Sequence, residues 1–202
     1  MTDRPILFSA PMVRALLAGT KTQTRRVLKE PYGMLERMPD GEWKPIPTKI
    51  FVGDRLWVRE TWAPLTALTH NDPGPQAIID GGFYRADEGT VDGEISKWKP
   101  SIFMPRHASR LTLTVTDVRV ERLQDISEAD ARAEGCPVTW DGKPYAPPPP
   151  EVDSWQGYGR YSYCLLWSKI NGPGSWDVNP WVVAYTFTVQ HGNIDQIAQV
   201  AA

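Results

Sequence analysis

Gly19-Thr20-Lys21-Thr22-Gln23-Thr24-Arg25-Arg26 lies between a short helix and a strand, and it is the densest polar stretch of the chain. Upstream, residues 9–18 carry the helical signals. Ser9 can cap the N-terminus, Pro11 fits the first turn, and Met12 and Leu16 share a face at i, i+4. Gly19 stands where a left-handed residue closes a helix. Residues 21–28, rich in Thr and Arg, then read as a strand leaving that helix. Such a junction places charged donors where a phosphate or carbonyl oxygen could bind, or where catalysis could be hosted. The plainer reading is an exposed strand edge whose Lys and Arg discourage aggregation, and composition alone favours it.

Downstream, Gly53-Asp54 reads as a turn before a strand at 55–59, and Phe83-Tyr84-Arg85 as a further short strand. Residues 110–121 give the clearest β signal. Leu111, Leu113 and Val115 alternate, and Val118 and Val120 resume one position out of phase, which predicts a bulge near Thr116-Asp117. A helix at 127–134 follows, with Ser127 and Asp130 in a capping-box arrangement and Gly135 as its stop. A second helix is expected at 160–170, closed by Asn171-Gly172. The last strand, 181–189, alternates Trp181, Val183, Tyr185 and Phe187 against Val182, Ala184 and Thr186. These elements predict one α+β domain over residues 1–189. Long connections lie at 30–50, 63–82, 87–105 and 136–157, and loops of that length are uncommon unless functional or disordered. Residues 190–202 lack pattern and are expected to form a mobile tail.

Composition bounds the function. Hydrophobic residues make up 41% of the 202, enough for a core, while nine tryptophans and 19 prolines point to a β-rich fold with structured loops. The net charge of −2 argues against a bulk nucleic-acid coat protein. Residues 1–62 nevertheless hold 11 basic and 7 acidic side chains, so a local basic surface near the junction is compatible with the sequence. Cys136 and Cys164 form no C-x-x-C pair, and His70, His107 and His191 are scattered, so no metal site or cofactor is expected. No apolar run approaches the roughly 18 residues that span a bilayer, and a cytoplasmic protein without membrane partners is the expectation.

Gly19-x-Lys21-Thr22-x-Thr24-x-Arg26 resembles the signature stretch of ASCH-domain proteins, G-x-K-x-x-[TE]-x-R. Three further stretches agree in order: Gly53-Asp54-x-Leu56-x-Val58, the segment from Leu123 to Gly135, and Asn179-Pro180-Trp181-Val182. Together they span most of the chain. The resemblance implies a PUA-like mixed β-barrel flanked by short helices, with the long connections as insertions, and RNA or a modified nucleoside as partner. It also points to a phage- or prophage-type protein. The motif is most similar to a bacterial subgroup that hydrolyses N4-acetylcytidine, whose catalytic Lys, Thr and Glu fall on Lys21, Thr24 and Glu134. Two readings follow, an RNA- or nucleoside-binding domain and a metal-free amidohydrolase, with a ribonuclease as a lesser alternative.

Amide hydrolysis requires a nucleophile, a base to activate it and an acid for the leaving amine. Thr24 supplies a hydroxyl, Lys21 a base or an oxyanion-stabilising cation, and Glu134 a proton shuttle. Side chains three apart on a regular strand point to opposite faces. Lys21 and Thr24 therefore converge only if Lys21 lies in the turn after Gly19, or if the strand bulges. Arg25, Arg26, Arg55 and Arg59 are candidate phosphate contacts, and Glu60 and Trp62 candidate pocket residues after the second strand. Trp57, Trp62 and Trp98 could stack on bases, although packing in a core or loop explains them as well. His107 is given no role.

Overall fold

The computed structural model describes residues 1–29, 34–39, 41–47, 49–69, 72–87, 94–136 and 158–197. Strand β1 (Asp3–Leu7) leads into helix α1 (Ala10–Leu17) and strand β2 (Gln23–Val27). A hairpin follows, β3 (Leu35–Arg37) and β4 (Trp43–Pro45), and then β5 (Arg55–Arg59). Next come β6 (Trp62–Pro64), α2 (Gly74–Asp80) and β7 (Gly82–Tyr84). The chain closes with β8 (Leu111–Arg122), α3 (Glu128–Ala133), α4 (Tyr158–Asn171) and β9 (Trp181–His191). None of the described helices is long and apolar enough to cross a membrane.

The fold is α+β, built on a mixed sheet in the order β1-β5-β8-β9-β2. β1 and β5 are parallel; β5 with β8, and β2 with β9, are antiparallel. Packing divides into two compact units. One comprises Met1–Gly19, Gly53–Thr114 and Thr188–Ala202, the other Thr20–Val52 and Val115–Phe187.

In the first unit, α1 starts after Ser9 with Pro11 in its first turn and buries Val13 and Leu16. Residues 63–82, expected as an open connection, contain most of β6 and all of α2, and end at the first residue of β7. β6 and β7 pair antiparallel, and Trp62, Tyr84, Met104 and Ala108 form a core cluster beside them. The segment 87–105 adds bridges from Lys99 to Trp62 and from Ile95 to Leu68. Residues 190–197 are packed rather than trailing. Ile194 is buried, the Asn193 amide donates to the carbonyls of Arg106, His107 and Ser109, and Asp195 pairs with Arg106.

In the second unit, part of the 30–50 connection forms the β3–β4 hairpin. Along β8 the buried positions change parity across Thr116 and Asp117, both exposed, where the hydrophobic phase slips in the sequence. Ser127 caps α3 by accepting from the Asp130 amide at 3.0 Å, and Gly135, at φ +74°, closes it. Leu123, Ile126, Ala131, Tyr163, Trp167, Trp176 and Val182 form the apolar core that seats α3 and α4 on the sheet. Nearly all of the expected loop at 136–157 lies outside the described residues.

Candidate functional site

β2 begins at Gln23, so Lys21 stands before it rather than in the regular strand. There it forms an isolated antiparallel bridge with Glu134, the residue that caps the C-terminus of α3. Thr22 fixes this arrangement from both sides. Its amide donates to Ala133 O at 2.8 Å, and its carbonyl accepts from the Phe187 amide at 3.0 Å.

The Lys21 side chain is fully buried (0% exposed). Its ammonium donates to Gln23 O, Glu134 O and Glu134 Oε2, each at 2.8 Å. An ammonium has three donors, and these acceptors account for all of them. Glu134 Oε1 accepts from Arg25 Nη1 at 3.2 Å, so both carboxylate oxygens are engaged. Arg25 also donates to Glu121 from Nε at 2.9 Å and from Nη2 at 2.7 Å, pairs with Asp130 at 3.3 Å, and donates to Gln23 Oε1 at 2.6 Å. Gln23 in turn donates to Asp130 and Thr186.

Burial disfavours the charge on Arg25, but Glu134 and Glu121 outweigh it and hold its pKa above the ordinary arginine value. The Tyr163 ring lies 5.9 Å below the Arg25 guanidinium, and burial with the nearby Glu134 keeps its phenol neutral well beyond the usual range. Burial, followed by Glu134, likewise pushes the Cys136 thiol up to about 12.

Strand parity sorts the remaining candidates. Gln23 and Arg25 face α3, as their bonds to Asp130 and Glu134 require. Thr24 and its partner Tyr185 therefore point to the other face of the β2–β9 pair, with Arg26 opposite Val183. Thr24 is buried, and its hydroxyl makes no hydrogen bond to Lys21 or Glu134 among the described residues. Arg26 is half-buried; burial lowers its pKa despite the pull of Glu134. The sequence motif thus brings Lys21 and Arg25, rather than Lys21 and Thr24, onto Glu134. Sequence reasoning missed Gln23, Glu121 and Tyr163, although the 21, 23, 25 spacing was a visible signal for the first.

The other candidates belong to the first unit, where each has intramolecular work. Arg55 is buried, gripping Asp3 through two bonds of 2.9 Å and donating to Ile194 O and Ile197 O. Arg59 lies over the Trp57 ring and donates to Ile102 O. Glu60 is buried and paired with Arg110 at 3.0 Å, and burial raises its pKa. Trp62 is buried, with Lys99 5.4 Å above its ring. No group of three His, Cys, Asp or Glu suited to a metal occurs among the described residues.

No protein-family model and no curated protein matches the chain. Among solved structures it is similar to the ASCH domain from Lactobacillus crispatus JV V101, at 16% identity over 93% of this chain and 79% of that one, with a TM-score of 0.36.

Proposed function

We propose that this chain is an ASCH-type domain, with its mixed sheet as a PUA-like barrel, that binds RNA or a modified nucleoside. Four motif stretches in family order support the ASCH assignment. The observation that carries binding over hydrolysis is the mutual engagement of Lys21 and Glu134. Each Lys21 donor is held by an internal acceptor, and each Glu134 oxygen accepts from a buried cation. A general base must present a lone pair to the proton it removes, and a lysine ammonium that donates all its protons offers none. In this reading the pair, with Arg25, is a buried charged frame that fixes the start of β2 against α3 and so shapes the recognition surface.

The experiment is a titration of labelled RNA over a range of salt concentrations. Affinity should fall steeply as salt rises, because lysine and arginine contacts release condensed counterions. Absence of binding at low ionic strength would overturn the reading. One observation favours the second reading, a metal-free amidohydrolase: Lys21 Nζ and Glu134 Oε2 stand 2.8 Å apart, within proton-transfer reach. Release of cytidine from N4-acetylcytidine by the purified protein would decide for it.

A further inference from the structure

Seven tryptophans lie among the described residues, and six are covered. Trp57, Trp62, Trp167 and Trp176 are buried. Trp98 and Trp181 are half-buried, with the guanidinium groups of Arg85 and Arg122 over their rings at 5.2 and 4.3 Å. Trp43 alone of the seven is open, at 60% exposure. It lies on β4, where the register sets Arg37 opposite Trp43, Glu36 opposite Lys44 and Leu35 opposite Pro45. Opposed residues on an antiparallel pair share a face. Trp43, Arg37 and the exposed Leu35 therefore line one face, and Glu36 and Lys44 the other. The turn between the strands is fixed by bonds from Met38 N to Glu42 O and from Gly41 N to Met38 O. Arg37 reaches back over it, its Nη2 lying 3.8 Å from where a Cβ on Gly41 would sit.

A bare indole beside a single guanidinium matches one nucleotide of an unpaired strand. The ring offers a stacking platform for a base, and arginine a fork for phosphate. A duplex hides its base faces and fits this face poorly. Among the described strand residues of this face Arg37 is the one charged group, and its guanidinium supplies the positive charge that a phosphate requires. We propose that the Trp43–Arg37 face of the β3–β4 hairpin docks single-stranded RNA, one base on the indole and a neighbouring phosphate on Arg37. This rests on the RNA-binding reading and adds to it the strand state of the RNA and the contact residues.

The test is fluorescence anisotropy of the whole protein with a short labelled oligouridylate and, separately, a blunt RNA duplex. Trp43→Ala should weaken single-strand binding by about fivefold or more, the range of one lost base stack. Trp43→Phe should retain most of it, and duplex binding should change little. Arg37→Ala should weaken single-strand binding and flatten its salt dependence. Circular dichroism checks that each variant folds. If wild type binds the oligouridylate and Trp43→Ala binds it equally, the hairpin proposal fails while the RNA reading stands. If Trp43→Ala changes the sedimentation coefficient of the free protein and not its RNA affinity, the face joins copies of the chain and the proposal is overturned. If wild type binds neither RNA, the RNA reading itself is lost.

Discussion

Lys21 and Glu134, 113 positions apart in sequence, are joined by a backbone bridge and by ammonium bonds of 2.8 Å to both the carbonyl and the carboxylate. Removing one member of a buried pair leaves a charge without its partner, whereas removing both avoids that penalty. Lys21→Met should therefore lower the unfolding free energy by about 3–5 kcal/mol. Lys21→Met combined with Glu134→Gln should cost clearly less than the two single changes summed. Urea unfolding followed by tryptophan fluorescence measures both, and strict additivity would show that the pair is not coupled.

Glu128, in the first turn of α3, closes the open N-terminus of α4. Its carboxylate accepts from the amides of Gly159 at 2.8 Å and Arg160 at 3.1 Å. This satisfies two donors that helix geometry leaves unpaired and places an anion at the positive end of the helix. Glu128→Ala should cost about 1–2 kcal/mol. A Cβ at Gly159 would come within 2.7 Å of Glu128 Oε1, so Gly159→Ala should displace the same cap. In that background Glu128→Ala should add little. Full additivity in chemical denaturation would mean the cap is energetically silent.

Acid should loosen the second unit through Asp130. Burial works against its charge, but hydrogen bonding from Gln23 and the charges of Arg119 and Arg25 prevail and depress its pKa below the ordinary 3.8. A carboxylate depressed in the folded state contributes stability that is complete above its unfolded pKa and is lost as pH falls through the folded value. Stability should therefore decline below about pH 4, and Asp130→Asn should flatten that decline while lowering stability at neutral pH. Glu60 acts with the opposite sign, since burial raises its pKa. Urea midpoints measured from pH 2 to 7 test this, and an unchanged acid slope in Asp130→Asn would contradict it.

Much of the frame is legible in the sequence because its signals are local. Ser127, Asp130 and Gly135 delimit α3, and alternation over 181–189 finds most of β9, which continues to His191. The odd-to-even slip in β8 also survives as a change in burial parity. What escapes depends on partners far away in sequence. α2 has Pro75 in its first turn and a left-handed Gly81 at its end, yet Ile78 and Ile79 are exposed, so no apolar stripe announces it. The same holds for the charged frame. Parity at 21, 23 and 25 nominates Arg25, but only the folded chain brings Glu121, Glu134 and Tyr163 to meet it. Exposure is equally invisible beforehand: Trp57 and Trp62 resemble stacking platforms in sequence and prove covered, while Trp43 stands open.

In the proposed reading the Lys21–Glu134 pair frames a binding domain and does not turn substrate over. The decisive experiment incubates the purified protein with N4-acetylcytidine and separates nucleosides chromatographically, alongside a Lys21→Ala variant shown to be folded. No cytidine above the uncatalysed level is expected from either protein. Cytidine produced by wild type and reduced at least about 10²-fold by Lys21→Ala, the loss expected of a positioned acid or base, would overturn the binding reading.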